Sequence, residues 1–118
     1  MTAARKLLDY KGRFFSFYKS SDYKTQKKIG YVLDLIRFEK QIPEKFFKKV
    51  SGSDGIYEIR VLTTFSSIRI LCFFDDGDII VLTNCYQKNK QRIPVREIKL
   101  AEKIKKDYFD EKDGGFLR

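Results

Sequence analysis

The chain has 118 residues, 42% of them hydrophobic and 15% aromatic. This is enough apolar material for one packed domain, and the chain is too short for two. Lysine and arginine number 25 against 16 acidic residues, and the formal charge of +9 favours nucleic acid, an anionic membrane or an acidic protein as partner. A basic protein without such a partner remains the alternative. Because histidine is absent and two cysteines do not make a zinc site, no metal or cofactor is expected.

Neither a membrane span nor a signal peptide is expected. No stretch approaches the roughly 20 apolar residues that cross a bilayer. Residues 1–10 also lack the apolar run of a signal peptide. The sequence therefore predicts a cytoplasmic protein that makes no membrane contact.

The first half of the chain predicts one strand and two helices. The aromatic segment 12–19 has a composition typical of a strand. A run of N-cap residues, 20–22, precedes a helix over residues 22–40, in which four apolar side chains recur at helical spacing: Ile29, Val32, Leu33 and Ile36. Pro43 suits the first position of a second, short helix through Phe46 and Phe47.

The second half predicts three strands in succession, over residues 56–63, 67–74 and 78–86, followed by a helix that Pro94 opens. Asp76-Gly77 is a strong signal for a two-residue hairpin turn. The chain is therefore expected to be a single α+β domain over residues 1–118, with a frayed tail from about residue 111. We expect a mainly antiparallel four-stranded sheet, two N-terminal helices and a C-terminal helix.

Register decides which side chains share a face of this sheet. A two-residue turn pairs Asp75 with Asp78 and sets Arg69 opposite Asn84, while an even-numbered turn at Thr64-Phe65 sets Arg60 opposite Arg69. One face then carries polar side chains and the other is apolar. The polar set is Glu58, Arg60, Ser67, Arg69, Asn84 and Tyr86, with Lys88 just beyond; the apolar set is Ile59, Val61, Ile68, Ile70, Cys72, Phe74, Ile79, Val81 and Cys85.

Two arginines directly opposite each other repel, and an anion between them relieves that cost. The planar fork of arginine suits a phosphate, so the polar face predicts a phosphate site. In the alternative, Arg60 and Arg69 pair with Glu58 and other acids. The basic loop that follows, with Lys88, Lys90 and Arg92, is either part of this site or a solvated loop.

The same register separates the two cysteines. Cys72 falls opposite Val81 and Cys85 opposite Ile68, about 13 Å apart along the sheet. A disulfide requires Cα atoms within about 7 Å. Two reduced, buried thiols are therefore expected.

Four segments in order resemble the RelE/ParE toxin superfamily, in particular its HigB-like, phage-protein-related branch. Residues 54–61 read DGIYEIRV, similar to a G-x-x-E-[LI]-R strand, and residues 67–74 read SIRILCFF, similar to an x-x-R-[IV]-x-Y-F strand. Residues 86–94, YQKNKQRIP, resemble an F-x-K-K-x-x-x-x-P segment. Residues 97–101, EIKLA, resemble the E-I-x-x-A helix that follows it.

This resemblance implies the toxin of a type II toxin–antitoxin pair. The usual activity on this branch is ribosome-dependent cleavage of messenger RNA, which makes the protein a metal-independent endoribonuclease and inhibitor of translation. Its partners would be mRNA on the ribosome and a cognate antitoxin of helix-turn-helix type. A gyrase poison similar to ParE and a non-catalytic nucleic-acid-binding module are the alternatives.

The resemblance also assigns roles to residues. Arg60 and Arg69 match the two strand arginines and Lys88 the first lysine of the K-K pair, while Tyr86 stands at the aromatic position. These four are the expected catalytic residues: the arginines stabilise the phosphorane, Lys88 stabilises it or acts as base, and Tyr86 stacks a base or donates a proton. The expected RNA-binding residues are Glu58, Asn84, Lys90 and Arg92, with Glu58 also a possible base. Asn89 replaces the second lysine, and Asn84-Cys85 stands where a His-Gly pair is common, so no histidine acid or base is available.

Overall fold

A computed structural model of the chain describes residues 3–88 and 92–114. It has the α+β composition that the sequence predicts, with three α-helices and one five-stranded sheet. The strands are β1 (Lys6–Asp9), β2 (Phe47–Lys49), β3 (Tyr57–Leu62), β4 (Ser67–Asp75) and β5 (Ile79–Gln87); the helices are α1 (Arg13–Lys19), α2 (Tyr23–Phe38) and α3 (Val95–Asp113).

The sheet is mixed, and the expected four-stranded antiparallel sheet is wrong. Its strand order is β1-β5-β4-β3-β2. Strand β1 runs parallel to β5, and the other neighbours are antiparallel. The outer strands β1 and β2 have four and three residues. Both are too short for an alternating pattern to identify them as strands. They form by pairing with strands distant in the chain, which the local sequence does not show.

The segment 12–19, expected as a strand, is helix α1. Its aromatic residues Phe14, Phe17 and Tyr18 are spaced at three and four residues, and all three pack against the core beneath the sheet. The carboxylate of Asp9 accepts hydrogen bonds from the backbone N–H groups of Phe14 and Phe15, both at 3.0 Å. Because this cap satisfies free donors of the first turn, the aromatic run is stable as a helix.

The short helix expected from Pro43 is absent from the described residues; the segment makes a turn and then enters β2. The ring of Phe47 stacks on Tyr57 of β3, with centroids 5.1 Å apart. This tertiary contact outweighs the helix signal of the proline. Helix α2, by contrast, confirms the prediction: the Asp22 carboxylate caps it by accepting from Thr25 N–H at 2.7 Å.

The hairpin between β4 and β5 has a three-residue turn rather than the expected two. Asp75 pairs with Ile79 instead of Asp78, and within the turn both Asp76 (φ 46°) and Gly77 (φ 76°) have left-handed backbones. Further along the ladder, Cys72 pairs with Leu82 but Ile70 pairs with Cys85. One residue of β4 therefore faces two of β5, a β-bulge at Thr83-Asn84.

These two irregularities change the register of β5. Arg69 lies opposite Tyr86, not Asn84. Ile79 and Val81 lie on the α3 side of the sheet, not with Ile70 and Cys72 as expected. The sheet therefore has apolar residues on both faces, because α1 and α2 cover one face and α3 covers part of the other.

The core consists of two clusters, one on each face of the sheet. The first lies between the sheet and α1/α2 and includes Ile29, Val32, Ile36, Ile59, Val61, Ile68, Ile70, Cys72, Ile80 and Leu82. The second lies under α3 and includes Val50, Ile56, Leu71, Phe73, Val81 and Ala101.

Both cysteines are free thiols, as expected, although only Cys72 is fully buried and Cys85 is partly so. Cys72 pairs with Leu82 and Cys85 with Ile70, rather than with the partners that the uninterrupted register predicts. Burial raises the pKa of Cys85 to about 12, so this thiol stays protonated at neutral pH.

Helix α3 begins after Pro94 as predicted and continues to Asp113, so residues 111–113 of the expected frayed tail are helical. The end of α3 is fixed to the sheet. Tyr108 O–H donates to the Asp75 carboxylate at 2.6 Å, and Lys112 Nζ donates to the same group at 2.8 Å. Within residues 3–88 and 92–114, none of the helices has the length and apolar character to cross a bilayer.

Candidate functional site

Arg60 of β3 and Arg69 of β4 are direct cross-strand partners, which confirms the predicted pairing. Their neighbours Ile59 and Ile68 belong to the core cluster under α1 and α2, so both arginines lie on the opposite face. We call this the site face; it carries Glu58, Arg60, Arg69 and Tyr86.

Glu58 lies on the site face between the two guanidinium groups. Its Oε1 accepts a hydrogen bond from Arg60 Nε and is 3.4 Å from Arg69 Nε. The ion pairing held open as an alternative is therefore present. Glu58 and Arg69 are buried, at 3% and 7% exposed. Arg60, with 26% of its side chain exposed, is the accessible member.

Arg69 makes its hydrogen bonds within the described residues through one end of its guanidinium group. Its Nη1 donates to Ser67 Oγ at 2.9 Å and to the Ile68 carbonyl at 3.2 Å. Burial lowers the pKa of Arg69, the charge of Glu58 opposes this, and Arg60 adds to it. Because an arginine in a protein does not lose its proton, the site face contains a charged, largely desolvated guanidinium.

Tyr86 of β5 is the direct cross-strand partner of Arg69 of β4. Burial raises the pKa of Tyr86, and the negative charges of Glu58 and Glu97 raise it further, while Arg69 opposes them. The side chain is therefore a neutral phenol at physiological pH, able to donate a proton or a hydrogen bond.

Asn84 links the bulge of β5 to the start of α3. Its Nδ2 donates to the Glu97 carbonyl at 3.1 Å and to Glu97 Oε1 at 2.9 Å. Glu97 does not stand out in the sequence, because its contact with Asn84 depends on the bulge. Asn84 thus positions α3 beside the site instead of facing Arg69.

Three buried side-chain atoms lack a hydrogen-bond partner within the described residues, and all three cluster around this face: Arg69 Nε, Asn84 Oδ1 and Tyr86 Oη. Arg69 Nε is within ion-pair distance of Glu58 but is not aligned for a hydrogen bond. Since a buried polar atom without a partner costs about 1–3 kcal/mol, such atoms are rare outside functional sites. Their concentration here indicates a ligand site.

Lys88 follows β5 directly, and its backbone N–H donates to the Ser67 carbonyl at 2.6 Å. Burial lowers the pKa of the Lys88 ammonium, and the charges of Arg69 and Arg60 lower it further, against an opposing effect of Glu58. Lys88 is therefore the cation of this face most able to become a neutral amine.

A cleft of about 410 Å³ opens between the end of β5 and the start of α3. Its lining includes Tyr86, Lys88, Arg92, Arg96 and Glu97. Arg92 is exposed at its rim, as the basic-loop interpretation expects, and Arg96 adds a cation that no sequence motif marks. Lys90, the remaining predicted RNA-binding residue, lies outside the described residues.

The described part of the chain contains no group of three or more cysteine or acidic side chains placed to hold a metal ion. The site thus combines two guanidiniums, a carboxylate, a phenol and an amine beside a cleft. It can bind a further anion beside the arginines and supply both a proton donor and a proton acceptor. Groups of these kinds can position an anionic substrate and transfer protons to and from it.

Comparison with known proteins places the chain in a family. The family model described as phage-derived protein Gp49-like (DUF891) matches residues 16–106, the segment that includes strands β2 to β5 and the whole site face. No curated protein matches the chain. Because the match covers most of the 118 residues, the chain belongs to the Gp49-like family of phage-derived proteins, a RelE/toxin-like family.

Proposed function

We propose that this protein is the toxin of a type II toxin–antitoxin pair, of the HigB-like branch, and that it cleaves messenger RNA on the ribosome in the cytoplasm. Membership of a RelE/toxin-like family supports the class. The observation that carries the activity is the buried Arg69, whose free Nε faces the same site as the free Tyr86 hydroxyl. A scissile phosphate with its leaving oxygen satisfies both groups.

The proposed reaction is attack of a ribose 2′-hydroxyl on its own 3′-phosphate. The new bond joins the 2′-oxygen to phosphorus, and the bond from phosphorus to the 5′-oxygen breaks. The products are a 2′,3′-cyclic phosphate and a free 5′-hydroxyl. One proton leaves the 2′-oxygen for a general base, and one reaches the 5′-oxygen from a general acid.

We assign Lys88 the role of general base and Tyr86 the role of general acid. Their surroundings move the two pKa values in opposite directions: the pKa of Lys88 falls and that of Tyr86 rises. The lowered pKa makes the neutral amine of Lys88 more accessible, and Tyr86 keeps the proton that a general acid must donate. Glu58 is less suited to the role of base, because it is buried and engaged with both arginines.

Arg60 and Arg69 hold the phosphate and stabilise the charge that develops on the phosphorane. Glu58 fixes their orientation without neutralising both of them. Arg92, at the rim of the cleft, is proposed to bind the flanking RNA backbone together with Lys90. Orientation of the RNA on the ribosome contributes the remaining rate enhancement, since alignment alone can lower the activation barrier by about 7–11 kcal/mol.

The test is to replace the arginines and follow transcripts. In cells expressing Arg60→Ala or Arg69→Gln, cleavage mapped by primer extension should fall about 100-fold or more, the typical loss on removing one transition-state donor. Arg37→Ala is the matched control, because Arg37 lies on α2 and pairs with Asp34 away from the site face. That variant should retain full cleavage and growth arrest.

Two outcomes would contradict the proposal. Undiminished cleavage by both site variants, with normal folding, removes the site face from the reaction. Growth arrest with DNA damage and intact transcripts would instead support the gyrase alternative. An adjacent open reading frame that encodes a helix-turn-helix protein would support the toxin class, since an acidic antitoxin segment fits the cationic site face.

A further inference from the structure

A second cationic surface lies on helix α2, away from the site face. Lys24, Lys27, Lys28 and Tyr31 line it, and Tyr23 extends it at the start of the helix. We call these five residues the α2 surface. Both tyrosines are unusually open for aromatic side chains, at 73% exposed for Tyr23 and 54% for Tyr31.

Each tyrosine ring of the α2 surface has a lysine ammonium over it. The Lys27 ammonium is 5.5 Å from the ring centroid of Tyr23, and the Lys28 ammonium is 5.1 Å from that of Tyr31. Tyr31 also contacts the ring of Phe46 edge-on, with centroids 6.5 Å apart, so its position is fixed from one side. Each ring thus has an ammonium over one face, while most of the Tyr23 side chain and about half of the Tyr31 side chain stay exposed to solvent.

Acidic side chains do not neutralise this surface. Across residues 3–88 and 92–114, none of its three lysines has a carboxylate within 4.0 Å. Helix α3 shows the contrast: Lys103 pairs with Asp107 at 3.2 Å and Lys106 with Asp110 at 2.6 Å. The α3 lysines therefore form a neutralised helix face, and the α2 lysines do not.

The α2 surface and the site face point away from each other. Ile29, Val32 and Ile36 of α2 pack on the first core cluster, on one side of the sheet. The site face is on the other side, beside α3. A short RNA bound at Arg60 and Arg69 therefore does not also cover the α2 surface.

We propose that the α2 surface is a second, separate RNA-binding site, in which the lysines contact phosphates and the tyrosines stack on unpaired bases. RNA fits better than an acidic protein, because a carboxylate-rich segment would engage the lysines but make no use of the two exposed rings. Stacking platforms beside lysines are the usual means of binding single-stranded nucleic acid. Two sites on opposite sides allow one large RNA to be held at two points.

The experiment measures binding of a fluorescein-labelled single-stranded RNA by anisotropy across a salt series. In Lys24→Gln/Lys27→Gln, the slope of log K against log salt should become shallower by about 1.4, at roughly 0.7 for each phosphate that the protein no longer neutralises. Lys103→Gln/Lys106→Gln removes the same charge from paired lysines and should change the slope by much less. Thermal melts confirm that both variants are folded.

The tyrosines separate stacking from charge. Tyr31→Ala should weaken RNA binding about fivefold or more, and Tyr31→Phe, which keeps the ring, should bind like the parent protein. Polyglutamate serves as the probe for an acidic protein. Its binding should depend on the lysines but not on the Tyr31 ring.

Three results would overturn the inference: an α2 lysine variant no weaker than its α3 control, a Tyr31→Ala variant that binds RNA normally, or an equal loss of RNA and polyglutamate binding on removing the ring. The readout is binding and needs no cleavage. Transcript cleavage by these variants is a separate measurement, so this inference can fail while the proposed nuclease activity stands, and the reverse.

Discussion

Arg60 of β3 and Arg69 of β4 are direct cross-strand partners in the sheet. Two like charges in this position destabilise a sheet. The Glu58 carboxylate reaches both guanidiniums and offsets part of that repulsion. Two cations and one anion leave a net positive charge, which favours the binding of a further anion.

We expect Glu58→Gln to lower the free energy of unfolding by about 3 kcal/mol, because removing one partner leaves buried charge uncompensated. Glu58 is 3% exposed and Arg69 is 7% exposed, so water does not replace the missing carboxylate. Urea denaturation at neutral pH measures the change. The control is Glu44→Gln, because the Glu44 side chain is 75% exposed and pairs with Lys48; it should change stability by less than about 0.5 kcal/mol.

Phosphate should rescue the same variant. If the arginines form an anion site, millimolar phosphate should recover more stability in Glu58→Gln than in the parent protein, because the anion binds only the folded state. Equal effects of phosphate on both proteins would contradict an anion site between Arg60 and Arg69.

The sequence sufficed to predict the Arg60–Arg69 pairing, because alternation in β3 and β4 is regular and the turn between them has an even length. The Thr63 N–H donates to the Ser66 carbonyl at 2.9 Å, as that turn requires. Each strand therefore keeps its charged residues on one face. Here local pattern and tertiary structure agree.

The register of β5 was not predictable in the same way. The turn has one residue more than the Asp-Gly signal suggests, and the bulge at Thr83-Asn84 adds another. A bulge depends on a partner strand and on what packs beside it, here the contacts of Asn84 with Glu97 of α3. Each inserted residue shifts the pairing by one, which is why Tyr86 and not Asn84 lies opposite Arg69.

Lys88 should give the cleavage rate a dependence on pH. If its neutral amine is the base, the rate rises with pH and levels off above a pKa that lies below the usual value of about 10.4. Lys88→Arg keeps the charge but not the accessible base, so cleavage should fall about 100-fold or more. Rates of cleavage on programmed ribosomes, measured across pH, give both results.

A matched replacement tests whether this effect is specific. Lys48→Arg changes an exposed lysine of β2 that pairs with Glu44, and it should leave the rate and its pH profile unchanged. A Lys88→Arg protein with the parent's rate and profile would exclude Lys88 as the base and leave only a phosphate contact for it.

Burial predicts opposite outcomes for the replacement of two phenylalanines, Phe73 and Phe65. Phe73 is fully buried, with ring centroids 5.4 Å from Tyr108 and 5.5 Å from Phe109. Phe73→Ala should therefore cost about 3–5 kcal/mol of stability. Phe65 at the tip of the β3–β4 turn is 94% exposed, and Phe65→Ala should stay within about 0.5 kcal/mol. Chemical denaturation of both variants measures the difference, and similar costs would contradict the packing of α3 on Phe73.

Asp75 should make stability depend on pH. Burial acts to raise the pKa of Asp75, but the hydrogen bonds from Lys112 and Tyr108 and the Lys112 charge outweigh it, so the pKa in the folded protein is lowered. A lowered folded pKa gives stability that is present above the unfolded value of about 3.9 and is lost as pH falls through the folded value. We therefore expect Asp75→Asn to be destabilised relative to the parent protein at pH 7.

That difference should shrink as the pH falls below about 4, where the parent carboxylate also becomes protonated and loses its ion pair with Lys112. Urea denaturation of both proteins over a pH series measures the convergence. Asp107→Asn is the control, because Asp107 pairs with Lys103 on the exposed side of α3 and its ion pair contributes little. A gap between Asp75→Asn and the parent protein that stays constant down to the lowest pH would show that Asp75 stabilises the end of α3 by hydrogen bonding alone, without its charge.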